Sequence, residues 1–154
     1  VRGIKIVFLA YTDLVAPSLG GVEAQPAISY LSKEILQKDI HDAKARADVV
    51  IVSIHTGEEY SLEPTYKQQE FSKIAIDSGA NIVVGHHSHI VQRLEHYGQG
   101  LIAYSLGNFI FDQNFSQETM QGIILKVIVN RDRIENVEII PTLISSGYQV
   151  LLKK

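Results

Sequence analysis

The chain contains no cysteine, and that absence excludes disulfides, thiolate metal sites and cysteine nucleophiles together. It leaves the compartment open, because a reducing cytosol and a bacterial cell surface both accommodate cysteine-free proteins. No apolar run approaches the ~20 residues needed to span a bilayer. No signal segment is visible and the chain opens with Val1 rather than Met, as expected of a processed protein or of one cut from something longer. Positive charge is scarce as well. With a formal net charge of -3 and no stripe of Lys or Arg, the sequence offers little to neutralise a phosphate backbone, so nucleic acid is set aside as a partner. Two catalytic templates are missing too. There is no Gly-x-Ser-x-Gly elbow, and Gly20-Gly21 lacks the lysine-bearing remainder of a phosphate-cradling loop.

What is present describes a folded chain. Hydrophobic residues make up 45% and charged residues 20% of 154 positions, enough for one domain with a core and too few for two. The run Gly3–Tyr11 reads as a buried strand, followed by a Gly- and Pro-rich loop from Ala16 to Pro26. Ile28, Leu31, Ile35, Leu36, Ile40, Ala43 and Ala47 then recur at helical spacing, opposite Lys33, Glu34, Lys38 and Asp42. Val49–Ile54 is almost continuously apolar, as a parallel strand buried on both faces should be. Pro64 suits a first helical position, Phe71, Ile74, Ala75 and Ser78 mark one helix face, and Gly79 suits its end. Ile82–Val84 repeats the buried strand. Two strand–loop–helix passages in succession imply parallel strands joined by right-handed crossovers. From Val91 the pattern changes to short strands, roughly Val91–Tyr97, Leu101–Ser105, Gly122–Asn130 and Arg133–Pro141, with turns at Gly98–Gly100 and Asn130–Arg133. An α/β first part followed by antiparallel strands is expected.

Four of the six histidines sit in two loops that follow the carboxyl ends of buried strands. Loops converge on that edge in open α/β sheets, and ligands bind there. If the strands are neighbours their ends lie ~5 Å apart, so imidazoles from both loops can share one ion. In an extended loop, alternation places His87 and His89 on one side and His86 with Ser88 on the other. His55, His87 and His89 are therefore the candidate metal ligands, and imidazole nitrogen suits Mn, Fe or Zn. His41 and His96 read as surface residues of a helix and a strand. Glu58 and Glu59 follow His55-Thr-Gly directly, as a solvated loop or, for Glu59, as a general base beside the ion. Asp13 lies close to the end of the first strand without an obvious ligand position. Asn108, after Gly107, either caps a turn or supports the histidine loop and contacts substrate.

These residues resemble a known family. His55-Thr-Gly-Glu-Glu-Tyr60, Pro64, Gln69, then Gly79-Ala-Asn-Ile-Val-Val-Gly-His-His-Ser-His-Ile-Val-Gln92, Tyr104-Ser-Leu-Gly-Asn-Phe109 and Phe111-Asp-Gln113 look like the bacterial CapA/PgsA capsule-synthesis family, whose members make or anchor poly-γ-glutamate. The resemblance runs from about Gly3 to Pro141. It implies kinship with calcineurin-like metallophosphatases and so an α/β fold, part of a two-sheet sandwich flanked by helices. By the same resemblance His55 matches an isolated metal-ligand histidine, His87 and His89 a paired set, Glu59 and Tyr60 one motif and Asn108 another. Ser88 stands where many relatives have proline. The family's early Gly-Asp, its second carboxylate motif and its Asn-His pair have no counterpart upstream of His55, so the chain resembles the carboxyl-terminal half of that domain.

The resemblance implies a metal-dependent hydrolase acting on a phosphoester or on an amide of a γ-glutamyl polymer. The alternative is a non-catalytic component that holds polymer or other capsule-synthesis proteins. It also implies a place at the bacterial cell surface, anchored through a segment outside this chain. A half-sandwich is expected to expose an apolar face able to form a dimer, and to be inactive by itself.

Overall fold

The computed structural model describes residues 3–14 and 28–153, so the expected loop from Ala16 to Pro26 lies outside the described residues. Within them, strand β1 (Ile6–Thr12), helix α1 (Lys33–Lys44), strand β2 (Val49–His55), helix α2 (Tyr66–Asp77) and strand β3 (Ile82–His86) follow one another. The β4 (Leu94–Tyr97) and β5 (Gly100–Ala103) hairpin completes a five-stranded sheet of order β1-β2-β3-β5-β4. Strands β6 (Gln121–Val129), β7 (Ile134–Ile144) and β8 (Val150–Leu152) form a separate antiparallel sheet. The fold class is thus the α/β arrangement expected. One detail differs: β5 pairs in parallel with β3 and antiparallel only with β4, so the change to antiparallel pairing is not complete at Val91. Leu101, Ile102 and Ala103 are fully buried, and an all-apolar strand inserts in the sheet interior better than at an edge. Strand β8, which follows a short polar loop, has no counterpart in the sequence reading.

The helices start where their caps allow. Ser32 accepts a hydrogen bond from the Ile35 amide at the head of α1, so Ile28 and Leu31 precede the helix rather than belong to it. Tyr30 instead bridges to Thr12 beside β1, and Leu31 enters the core from that extended segment. For α2, Thr65 and Gln68 form a reciprocal capping box, which leaves Pro64 one residue before the cap. Gly79 follows the helix with a φ of +110°, as a terminating glycine. Leu36, Ile40 and Ala43 of α1 and Ala75 and Ile76 of α2 pack on Val50, Val52, Ile54, Val83 and Ile102 of the sheet. Fully burying each of the larger aliphatic side chains contributes roughly 1.5–3 kcal/mol. Both helices therefore cover one face. On the opposite face of β1, Phe8 is 71% exposed.

Two glycines bring the distant segments together. A Cβ at Gly85, in β3, would lie 2.0 Å from the Tyr104 carbonyl oxygen, so only glycine lets the segment after β5 pass this close to the histidine-bearing strand. A Cβ at Gly122 would lie 2.0 Å from the Asn108 carbonyl oxygen. The second sheet is thereby seated against the Asn108 turn, and the Ile123 amide bonds the Leu106 carbonyl at 2.9 Å.

Candidate metal-type site at the carboxyl ends of the strands

The parallel register places Thr12, His55 and His86 side by side at the ends of β1, β2 and β3. Side chains at matched register share a face of the sheet. His86 is therefore not turned away from His55. Their rings stack with centroids 6.4 Å apart. Beyond β3 the chain does not stay extended: His87 has a φ of +106° and His89 a φ of +58°. Positive φ is uncommon for side-chain-bearing residues, histidine being among those that tolerate it best. The expected simple alternation thus fails, yet the bend still brings the expected residues together. The His87 ring lies 5.1 Å from that of His55 and 6.3 Å from that of His89. Ser88 is pulled inside, where its hydroxyl donates to the Ile90 carbonyl at 2.7 Å. His41 and His96 are exposed on α1 and β4, as read from the sequence.

Asn108 determines how His89 is held. Its amide nitrogen donates to the Thr119 carbonyl at 3.0 Å and to Gln113 Oε1 at 3.3 Å. Both partners are acceptors, so Asn108 Oδ1 is the atom that faces His89 Nδ1, at 2.9 Å. An amide oxygen accepts only; the Nδ1 position therefore carries a hydrogen and the neutral ring keeps its lone pair on Nε2. Gln113 Nε2 in turn donates to the Tyr60 hydroxyl at 3.1 Å, and the Tyr60 ring stacks on His89 at 5.9 Å. His89, Asn108, Gln113 and Tyr60 close a circuit, with Phe111 against the imidazole from 5.2 Å. Of the two readings of Asn108, support of the histidine loop is the one its contacts match. Gln113 and Tyr60 were visible as motif letters without a role; their signal was the recurrence of polar residues beside the Asn108 turn.

Glu59 Oε1 lies 3.9 Å from His89 Nε2. A carboxylate facing an imidazole lone pair is repulsive unless a proton or a metal ion stands between them. Glu58 has no such partner among the described residues and is exposed. The loop carrying both is fixed from beneath. Tyr60 N donates to the Ser88 carbonyl at 2.8 Å. Buried Gln68 donates to buried Gln92 at 3.1 Å, which donates to the Ser61 carbonyl at 2.9 Å. Burial holds the His55 imidazole below its ordinary pKa, and His87 and His89 add to this against an opposing effect of Asp13. Burial does the same to His86, with His55 adding to it. Neutral imidazoles are the form that binds metals.

Asp13, one residue past β1, has a side chain only 8% exposed and pairs with Lys67 at the start of α2. Burial pushes its pKa up, but Lys67 and the neighbouring Thr56 hydroxyl outweigh that and hold it below the usual carboxylate range. From the residues alone Asp13 is only close to the strand end; its electrostatic link to His55 depends on the β1–β2 register.

The donor set fits a divalent ion in kind. An imidazole bound at ~2.0–2.1 Å has its centroid ~3.2 Å from the ion, so two rings sharing one ion lie at most ~6.4 Å apart. The His55–His87 pair meets this easily, and His87–His89 only from opposite sides of an ion. In number the set falls short. Among the described residues, no three His, Asp or Glu side chains are grouped closely enough to hold one ion.

A mixed sheet with helices on one face carries the histidine loops at its carboxyl edge, an α/β fold. The comparison with solved structures agrees: a Staphylococcus aureus protein described as a 5'-nucleotidase, solved with alpha-ketoglutarate, superposes with a TM-score of 0.59 at 18% identity. The match covers 96% of this chain and 29% of that one. Residues 1–113 match the family described as bacterial capsule synthesis protein PGA_cap, and the chain belongs to that family. It is 34% identical to the capsule biosynthesis protein CapA of Bacillus anthracis over 96% of this chain and 36% of that protein. It is 32% identical to the PGA biosynthesis protein CapA of Bacillus subtilis (strain 168), over 100% of this chain and 40% of that protein. The chain thus spans well under half the length of these relatives.

Proposed function

We propose that this chain supplies the histidine-bearing part of a metal-dependent hydrolase-type site in a capsule-synthesis protein. The observation that carries the reading is the orientation of His89. Its Nδ1–H is committed to Asn108, and its Nε2 faces Glu59 across a gap that a cation would fill. His55, His87 and His89 would hold a Mn, Fe or Zn ion, with further ligands from parts of the longer protein outside this chain. Such an ion lowers the pKa of bound water and polarises an ester or amide oxygen. With one Glu59 oxygen bordering that ion, its other oxygen would accept the proton of an attacking water, and Asn108 would act through His89 by fixing its tautomer. Tyr60 and Phe111 hold the imidazole plane.

The substrate class is a phosphoester or an amide of a γ-glutamyl polymer, and the working location is the bacterial cell surface, with an anchor supplied outside this chain. Among the described residues no helix is long and apolar enough to cross a membrane. Other capsule-synthesis proteins are the expected partners, and the sheet face carrying exposed Phe8 is where a second copy would pack if the chain dimerises alone. The isolated chain is read as inactive, because its donor set is short of an ion's full complement.

The test is hydrolysis of a model phosphoester and of a γ-glutamyl peptide by the longer protein containing this chain, with and without a chelator. The reading expects turnover that chelation and His87→Ala/His89→Ala both abolish. Chelator-insensitive polymer binding without turnover on either substrate would replace it with the non-catalytic alternative.

A further inference from the structure

A second feature lies at the opposite end of the same strands. There, a cavity of about 440 Å³ is lined by Gly3, Lys5, Lys44, Arg46, Asp48 and Arg131, among others. Four of these side chains are cations and one is a carboxylate, a local excess of three positive charges in a chain whose net charge is -3. Lys44 and Arg46 have a local reason to be there, since cations at the carboxyl end of α1 complement its dipole. Lys5 and Arg131 do not. Lys5 precedes β1, and Arg131 sits in the turn between β6 and β7.

The convergence is built by hydrogen bonds rather than left to chance. The Lys5 amide donates to Asp48 Oδ2 at 2.8 Å, and Lys44 Nζ donates to the Asp48 carbonyl at 3.0 Å. Arg131 donates to the Gly3 carbonyl at 3.0 Å and lies 3.9 Å from Asp48 Oδ1. One carboxylate is therefore shared. Among the described residues, neither the Lys5 ammonium nor the Arg46 guanidinium is held in a salt bridge, although Asp42, one helical turn before Arg46, attracts it through space. Like charges drawn around one concavity repel each other, and an entering anion relieves that repulsion.

We propose that this cavity binds a polycarboxylate chain, several carboxylates on one flexible polymer, as a holding site remote from the histidines. The proposal rests on the capsule-polymer reading above. Cations from three separate elements, spread around one concavity, suit carboxylates repeated along a chain better than one compact anion. Phosphate shares the anionic chemistry but engages fewer of these groups at once.

The experiment measures binding of a γ-linked glutamate oligomer to the longer protein by fluorescence anisotropy, at several salt concentrations, beside Lys5→Gln/Arg46→Gln. Both substituted residues are exposed, so the variant keeps its fold, which circular dichroism checks. The expected result is affinity that falls with salt, and about tenfold weaker binding in the variant at low salt. Inorganic phosphate at equal ionic strength should compete only weakly. Equal affinity in variant and wild type overturns the proposal, as does displacement of the oligomer by phosphate at matched charge. Loss of binding in His87→Ala/His89→Ala but not in Lys5→Gln/Arg46→Gln places the polymer at the histidines; it removes this proposal and leaves the proposed function standing. Absence of binding in every form also removes it, while the chelation assay above separately decides the hydrolase reading.

Discussion

The two ends of the five-stranded sheet are built from the same strands and teach opposite lessons. At the carboxyl end, imidazoles, amides and a tyrosine hydroxyl are locked by directional bonds, from His89 through Asn108 and Gln113 to Tyr60. At the amino end, four cations gather around one shared carboxylate and leave a local excess of positive charge. Directional networks set the positions of atoms, whereas excess charge sets a field. The first suits chemistry at a fixed point and the second suits retention of a flexible anionic partner.

The comparison breaks most completely through the backbone that joins the Asn108 segment to the histidine strand. Gly85→Ala would push a methyl group into the Tyr104 carbonyl, and is expected to cost about 3 kcal/mol or more in a denaturant titration. Leu36→Ala, in the helix-covered core, should cost roughly 2–5 kcal/mol but leave the histidine geometry intact. Asn108→Ala should cost about 1–3 kcal/mol by leaving the Thr119 carbonyl and His89 unpartnered. It should also weaken metal binding roughly 10- to 100-fold in a titration of the longer protein, the usual cost of losing a residue that orients a ligand.

Asp13 sharpens the contrast through pH. Its pKa is lowered in the folded chain, so the stability it contributes is present above the unfolded value of ~3.9 and is lost as pH falls through the folded value. Acid denaturation followed by circular dichroism should therefore show a loss below about pH 4 that Asp13→Asn diminishes. The smallest effect is expected at the other end. Lys5→Gln/Arg46→Gln should change stability by no more than about 0.5 kcal/mol, because both side chains are exposed and neither is held in a salt bridge among the described residues. A large change there would mean that those cations are structural and the field account is wrong.

Much of this was legible in the residues and some was not. The strand-end position of His55 and the place of His87 just beyond β3 followed from apolar runs that stop at polar residues, and the Asn130–Arg133 turn followed from asparagine chemistry: Asn130 Oδ1 accepts from the Asp132 and Arg133 amides at 2.8 Å. The left-handed bends at His87 and His89 were not legible, since tertiary bonds to Asn108 and the inward pull on Ser88 decide them. The place of β5 within the parallel sheet was hidden for a similar reason: pairing partners distant in sequence leave no periodic signal. The basic cavity is not legible in the sequence because its cations are scattered at positions 5, 44, 46 and 131, and only the fold gathers them.

The central claim is that the carboxyl end holds a divalent metal through His55, His87 and His89. Elemental analysis of the purified longer protein, beside His87→Ala/His89→Ala, tests it most directly. The account predicts bound Mn, Fe or Zn in the wild type, lost or strongly reduced in the folded variant. A wild-type protein free of these metals, or a variant that retains them in full, would contradict it.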